Sequence, residues 1–442
     1  MFTVKSLEHL LRDELVQRRE EGCHVDSLEA EFKAVAASAA PDKLKRLERL
    51  YERLDRKKPR QPLAAQEPSD LAGIRRLRPE GPRRLALKLS DEELRDRILG
   101  AWLGRAAGCL LGKPCEGWAR PKIEAYLKLA GAWPLDNYWP RAERETEELK
   151  LRADFGPCLR GNIACMARDD DMDYTVLGLH VLERFGRGFT PRNVADTWLA
   201  TMPYHMTYTA EREAYRNFVM EVWPPASATT RNPYREWIGA QIRCDGWAYA
   251  APGDMELAAE FAWRDASVSH VKNGIYGEMF FAAVIAAAFG AKDVREAIAL
   301  GLSEIPERCR LARAMRDVVK WSRQNTTWQQ THDAIMRAHA GMNWVHTINN
   351  AAIVLTALLH GEGDFEKTIS IAVMGGLDTD CNGATAGSVF GALAGAKNLP
   401  QAKWTAPLND TLKSAVAGYD GSRFSDLAAR SLALAKKFRE QP

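Results

Sequence analysis

Two acidic runs far apart in the chain carry its most specific chemistry. The first, ARDDDMDYT, sets Asp169, Asp170, Asp171 and Asp173 directly ahead of a helical pattern through Leu177, Val181 and Phe185. A helix N-terminus stabilises an anion by about 0.3–1 kcal/mol. That is too little to offset several mutually repelling carboxylates once they are buried. A hard dication suffices, because Mg²⁺ prefers carboxylate oxygens and keeps some of its own water. The plainer alternative is an acidic capping turn in solvent. The second run, GGLDTDCNGATAG, holds Asp378 and Asp380 in a short loop whose glycines leave the backbone free to bend. Its alternating aspartates lack the glutamate of an EF-hand loop. Brought together, the two runs make a split binuclear site with ions about 3.5–4 Å apart, able to orient substrate and activate water.

Candidate substrate contacts lie elsewhere. In SHVKNGIYGEMF, His270, Asn273, Gly274 and Tyr276 stand at the mouth of a very apolar helix, a setting that suits a pocket. A structural role for a lone histidine remains an equal reading. Gly376 and Asn382, flanking the second pair of aspartates, join these candidates. His346, Asn349 and Asn350 in HTINNA lie on one helical turn shortly before the acidic loop and suit a supporting role.

The elements that must position these groups read as helices. Ser90 with Glu93 is a capping box, opening a helix through RILGAWLGRAAGCLLG. Gly100, Gly104, Gly108 and Gly112 fall on one face of it, and Gly383, Gly387, Gly391 and Gly395 repeat the pattern near the other end of the chain. A glycine inside a helix costs about 1 kcal/mol against alanine. Such stripes therefore predict two central helices with very close neighbours, each other included. Helical periodicity also covers 278–289, 294–302, 307–323, 327–340 and 346–360, and a further helix runs from Asp364 to Gly375–Gly376. Residues 223–254 read as irregular, and no segment alternates as a strand does. The fold class is all-α. Residues 1–56 form a helical hairpin turning near Ala39–Pro41, residues 57–89 a solvated Pro/Arg-rich connector, and residues 90–442 the catalytic domain.

Composition removes several classes of partner. The 442 residues carry 61 basic and 58 acidic side chains, a net charge of +3, with no basic excess for nucleic acid or an anionic membrane. The longest apolar run, Met279 to Phe289, is too short to span a bilayer. The charged N-terminus lacks the apolar centre of a signal peptide. The eight cysteines show no CxxC pair, which suits reduced, buried thiols in a cytoplasmic protein.

Three stretches together resemble the ADP-ribosylglycohydrolase family. They are GAWLGRAAGCLLGKPCEG (residues 100–117), Asp169-Asp170-Asp171-Met172 and Gly376-Leu377-Asp378-Thr379-Asp380-Cys381. The resemblance covers about residues 90 to 400. It implies a compact, orthogonal all-α fold with a pair of Mg²⁺ ions in a cleft, Mn²⁺ being a possible substitute. It further implies hydrolysis of the bond between C1 of a ribose and a nitrogen or oxygen. On it, Asp169, Asp170, Asp171, Asp378 and Asp380 are metal ligands, Asp171 also serves catalysis, and Glu116 is the general acid or base, or the positioner of water. Cys381 stands where the family keeps threonine, Cys109 where it keeps aspartate, and Leu377 where it keeps glycine. A thiol is a poor Mg²⁺ ligand. The implied substrate is ADP-ribosylated or a small molecule. A nucleoside or other furanoside glycosidase and a catalytically silent ADP-ribose-like ligand-binding protein are the rival readings. Oligomeric state is not legible.

Overall fold

A computed structural model describes residues 3–59 and 61–440. The N-terminal part forms α1 (Val4–Glu20), α2 (Asp26–Ala36) and α3 (Lys43–Asp55), then two short helices, α4 (Leu63–Gln66) and α5 (Leu71–Leu77). The body opens with α6 (Asp91–Gly112) and α7 (Arg120–Leu129), followed by α8 (Asp170–Phe185), α9 (Pro191–Thr201) and α10 (Thr209–Val219). Beyond an irregular stretch come α11 (Cys244–Tyr249), α12 (Met255–Ala266), α13 (Asn273–Ala288), α14 (Val294–Leu302), α15 (Arg310–Gln324) and α16 (Trp328–Ala338). Five more complete the described chain: α17 (Thr347–His360), α18 (Phe365–Met374), α19 (Thr379–Ala394), α20 (Gln401–Trp404) and α21 (Phe424–Glu440). The all-α expectation holds. Among the described residues the only strands are Thr411–Leu412 and Ser422–Arg423, paired antiparallel.

The architecture is organised on the glycine stripes. Ser90 caps α6 through the expected box: its hydroxyl accepts from the Glu93 N–H, and the Glu93 carboxylate accepts from the Ser90 N–H. α6 and α19 then lie antiparallel in direct backbone contact. A β-carbon on Gly108 would sit 1.9 Å from the Gly383 carbonyl oxygen, and one on Gly104 would sit 2.3 Å from that of Gly387. One on Gly100 would meet the Gly391 oxygen at 2.6 Å, and one on Gly112 the Thr379 oxygen at 2.1 Å. No side chain fits in this seam, which is why both faces forgo the roughly 1 kcal/mol that alanine offers a helix. Gly395 departs from the expected stripe. It follows the last turn of α19 with φ of +83° and serves as the left-handed stop of that helix. Around this pair, α13 is buried along its whole length, an apolar helix with no solvent face.

Two N-terminal expectations change. Residues 1–56 hold three helices, not a hairpin of two. Gly22, at φ of +81°, stops α1, and Leu28, Phe32 and Val35 give α2 an apolar face of its own. These side chains form a small core with Leu7, Leu11, Leu47, Tyr51 and Leu54, joined by Ala210 and Tyr234 of the body. The join is also ionic. Arg235, buried, donates to Glu14 at 2.7 and 3.0 Å and to Glu21 at 3.0 Å, while Gln17 donates to Glu236 at 2.9 Å. Breaking such a buried pair from one side costs about 3–5 kcal/mol, because the partner charge is stranded.

Residues 57–89 are likewise not a solvated connector. Ile74 is fully buried. Arg78 bridges Glu256 and Glu304, both at 2.6 Å, and Glu67 accepts from Arg310 at 2.8 Å. Arg75, Arg78 and Arg84, among the basic residues that made the segment look solvated, staple it to the body through Glu260, Glu256, Glu304 and Asp254.

Candidate functional site

The glycine seam fixes where the acids meet. Because α6 and α19 are antiparallel, the C-terminus of α6 lies beside the N-terminus of α19. The Thr379 hydroxyl donates to the Gly112 carbonyl at 2.7 Å, satisfying one of the carbonyls a helix end leaves without a partner. A short 3-10 turn, Lys113–Cys115, continues α6 and delivers Lys113 and Glu116 to the same place. The Glu116 turn is clipped to the acidic loop by two backbone bonds: Gly117 N–H donates to the Leu377 carbonyl at 2.9 Å, and Leu377 N–H to the Trp118 carbonyl at 3.0 Å. Leu377 takes φ of +66°, a left-handed conformation rare for leucine, held by those two bonds. Asn350 completes the loop, its side-chain oxygen accepting from Asp378 N–H at 3.1 Å and from Asn382 at 2.9 Å.

The N-terminus of α8 arrives from the other side. Asp169 caps it, accepting from Asp171 N–H at 3.0 Å. Together the two loops and the α6 turn line one cavity of about 690 Å³ that contains Lys113, Glu116, Asp169, Asp170, Asp171, Asp378, Asp380 and Cys381. All five expected aspartate ligands therefore share one site with Glu116. Within it the ligand atoms of Glu116, Asp378 and Asp380 lie within 4.8 Å of one another. So do those of Cys109, Asp169 and Asp171, and those of Asp171, Asp380 and Cys381. Asp170 lines the cavity but belongs to none of these sets among the described residues. Asp173 has turned away: it accepts from Arg168 at 2.8 Å, from the Ser414 hydroxyl at 2.6 Å and from Ala415 N–H at 2.9 Å.

The cleft is electrostatically frustrated. Burial, reinforced by neighbouring carboxylates, pushes the carboxyls of Asp170, Asp171, Asp378 and Asp380 above their ordinary range. The Asp380 charge first, and burial second, push Glu116 up to about 9. Asp169 goes the other way. Burial opposes its charge, but the Lys113 ammonium in direct contact and the Asp171 N–H reverse the shift and hold it low. Six carboxyls crowded against so little positive charge ask for a cation. The all-oxygen set of Glu116, Asp378 and Asp380 has the donor chemistry of a hard dication such as Mg²⁺. The two sets that include Cys109 or Cys381 do not, since thiols favour softer metals.

The other expected substrate contacts are not at this cavity. His270 is buried and hydrogen-bonds the Ser269 hydroxyl at 2.8 Å. Asn273 donates to Glu236 at 2.8 Å and accepts from Leu311 N–H at 2.9 Å. The Tyr276 hydroxyl donates to the Pro68 carbonyl. A β-carbon on Gly274 would lie 2.6 Å from the Arg235 carbonyl oxygen, so this glycine admits a neighbouring chain, not a ligand. The polar cluster ahead of α13 ties the body to its N-terminal additions. Gly376 and Asn382 shape the acidic loop from behind: Gly376 has φ of +77° against the Trp118 carbonyl, and Asn382 is fully buried.

Several cavity residues had no assignment in the sequence. Lys113 is the first. Behind the cavity, Arg105 also went unassigned: it is fully buried in α6, donating to Asp171 at 3.1 Å and paired with Asp245 at 2.7 Å. Its signal was available: an arginine inside LGAWLGRAAGCLLG demands a buried carboxylate. Trp237, Trp344, Tyr208 and Phe155 line the walls, with Arg152 and Arg168 among them.

The chain is similar to a solved ADP-ribosylglycohydrolase-related protein complex at 22% identity, covering 78% of this chain and 99% of that one, with a TM-score of 0.49. No curated protein matches the sequence. No helix among the described residues is long and apolar enough to cross a membrane. The ADP-ribosylglycohydrolase family model matches residues 90–441, a span that contains the seam, both acidic loops and the Glu116 turn, and the chain belongs to the ADP-ribosylglycohydrolase family.

Proposed function

We propose that the protein is a Mg²⁺-dependent hydrolase of a ribosyl N- or O-glycosidic bond, acting on an ADP-ribosylated substrate. Residues 90–442 act as the catalytic unit, and residues 1–56 brace the wall that bears Trp237. The observation that carries this reading is the convergence of Glu116, Asp378 and Asp380 with Asp169–Asp171 in one aromatic-walled cavity of about 690 Å³.

The division of labour follows from the lining. Trp237, Trp344, Tyr208 and Phe155 offer flat apolar faces to a base or a sugar ring. Arg152 lies on the same wall, exposed, where its guanidinium can meet an anionic group of the substrate. A divalent ion bound by the carboxylates would grip the ribose diol and polarise water. Glu116 stands at the cavity mouth with its carboxyl raised chiefly by the Asp380 charge; once a cation offsets that charge, the carboxyl releases its proton and is left a carboxylate able to act as a base. It takes a proton from the attacking water as the water oxygen joins C1. The C1–nitrogen or C1–oxygen bond breaks as that bond forms, and the leaving atom takes its proton from solvent water.

The test is a hydrolysis screen of ADP-ribosylated peptides, ADP-ribose esters and nucleosides, each in Mg²⁺, in Mn²⁺ and in chelator. Release of ADP-ribose in metal and not in chelator is the expected result. Cleavage of nucleosides alone would make it a nucleoside glycosidase. Binding of ADP-ribose without turnover on any substrate would make it a ligand-binding protein.

Metal binding should also depend on pH. Glu116 keeps its proton up to about pH 9 while its neighbours are charged, and an ion must displace that proton to use the carboxylate. Because the affected pKa is raised, affinity for Mg²⁺ should climb from pH 6 towards pH 9, by up to about tenfold per unit where one proton is released. Calorimetry in two buffers of different ionisation enthalpy measures that proton directly. Affinity that is flat across this range would show Glu116 already ionised.

A further inference from the structure

We propose that the Lys113 ammonium occupies the place of a second dication, so that this chain binds one divalent ion, at Glu116, Asp378 and Asp380, and not a pair. The inference rests on reading the acidic cleft as a metal site, and it departs from the binuclear expectation drawn from the two loops.

Two of the three carboxylates at the α8 end of the cleft, Asp169 and Asp171, are already engaged by protein donors, and the third, Asp170, lines the cavity outside every convergent set among the described residues. One oxygen of Asp169 accepts from Asp171 N–H at 3.0 Å, and its other oxygen is in contact with the Lys113 ammonium. One oxygen of Asp171 accepts from Arg105 at 3.1 Å, and the other from the Cys381 thiol at 3.2 Å. A second ion there would have to displace an ammonium, a guanidinium and a thiol proton. Each convergent set there also includes a thiol, Cys109 beside Asp169 and Asp171 or Cys381 beside Asp171 and Asp380, a donor that Mg²⁺ disfavours. In the set of Glu116, Asp378 and Asp380 the ligand atoms are all carboxylate oxygens. Asp378 and Asp380 are each 5% exposed, and Glu116 stands open at the mouth, so a path for the ion exists.

Lys113 is fixed in this role by the fold. It follows Gly112, whose missing side chain allows α6 to touch the Thr379 backbone, so the ammonium enters the cleft from a rigid helix end. A cation at a helix C-terminus is also favoured by the helix dipole. Among the described residues Lys113 is the lysine that lines this cavity, and its side chain is 20% exposed against 1% for Asp169. The ammonium supplies one positive charge permanently where an ion would come and go.

The experiment is Mn²⁺ titration of the full-length chain by calorimetry, with electron paramagnetic resonance of the loaded protein. The expected result is one Mn²⁺ per chain with an uncoupled, mononuclear spectrum. Lys113→Met frees one oxygen of Asp169 beside Asp170, so it should take up a second, weaker Mn²⁺ coupled to the first, whereas Lys113→Arg should stay at one. If Lys113→Met fails to fold, Lys113→Gln carries the same expectation. Two ions on the wild-type chain would overturn the inference and leave the metal-site reading intact. One ion on the neutral variants would overturn the role given to Lys113. No ion on any of the proteins would overturn both.

Discussion

Gly108→Ala should unfold at a markedly lower urea concentration than the wild-type chain, with stability reduced by about 3 kcal/mol. Its new methyl group would stand 1.9 Å from the Gly383 carbonyl oxygen, and that neighbour is backbone, not a side chain that can swing aside. Either α6 and α19 part along their length or one of them bends. Overpacking of a tight interior costs about 1–3 kcal/mol, and a backbone-to-backbone seam sits at the upper end. The comparison variant is Gly156→Ala, where an added β-carbon meets nothing within 4 Å and the change should stay within about 0.5 kcal/mol. Activity should fall further than stability alone explains. Glu116 and Lys113 follow α6 by a few residues, and Asp380 begins α19, so a parted seam separates the carboxylates that must share one ion. Wild-type stability in Gly108→Ala would mean that the two helices do not touch through their glycines.

The same seam explains what was legible in the sequence and what was not. A glycine every fourth residue is a local pattern with a single physical excuse, close approach, so the central pair could be read directly from the chain. The acidic loops were legible for a similar reason: several carboxylates in a few residues need a cation wherever they are buried. Lys113 escaped because its importance depends on Asp169, a residue on a different helix, and nothing in LGKPCEG announces that partner. Arg235 and Arg310 escaped in the same way. They are paired with Glu14 and Glu21, and with Glu67 and Glu236, across long stretches of sequence. The cluster at His270, Asn273 and Tyr276 misled in the opposite direction. Polar side chains at the mouth of a buried helix can hold a ligand or hold another part of the chain. Here Asn273 holds Glu236 and Leu311, Tyr276 holds Pro68, and His270 bonds its neighbour Ser269. Composition cannot distinguish these uses, since both satisfy the same buried hydrogen-bonding demand.

Glu116→Gln is the substitution that separates catalysis from construction. If Glu116 takes the proton of the attacking water, the amide should cut kcat by about 10²–10⁴, the usual range for lost general-base help. The amide keeps the shape of the side chain, and the backbone bonds of Gly117 and Trp118 to Leu377 do not involve it, so the turn should stand. Mg²⁺ should still bind, because Asp378 and Asp380 remain and the amide oxygen is itself an acceptable ligand. The rise of Mg²⁺ affinity with pH should flatten, because the group held up to about 9 by the Asp380 charge is no longer there to compete for a proton. Loss of kcat together with loss of that pH dependence would assign both effects to one carboxyl. Full activity would reduce Glu116 to a turn residue. Activity that returns in excess Mg²⁺ would make it chiefly a ligand, and the proton of the water would then have to pass to one of the aspartates across the cleft.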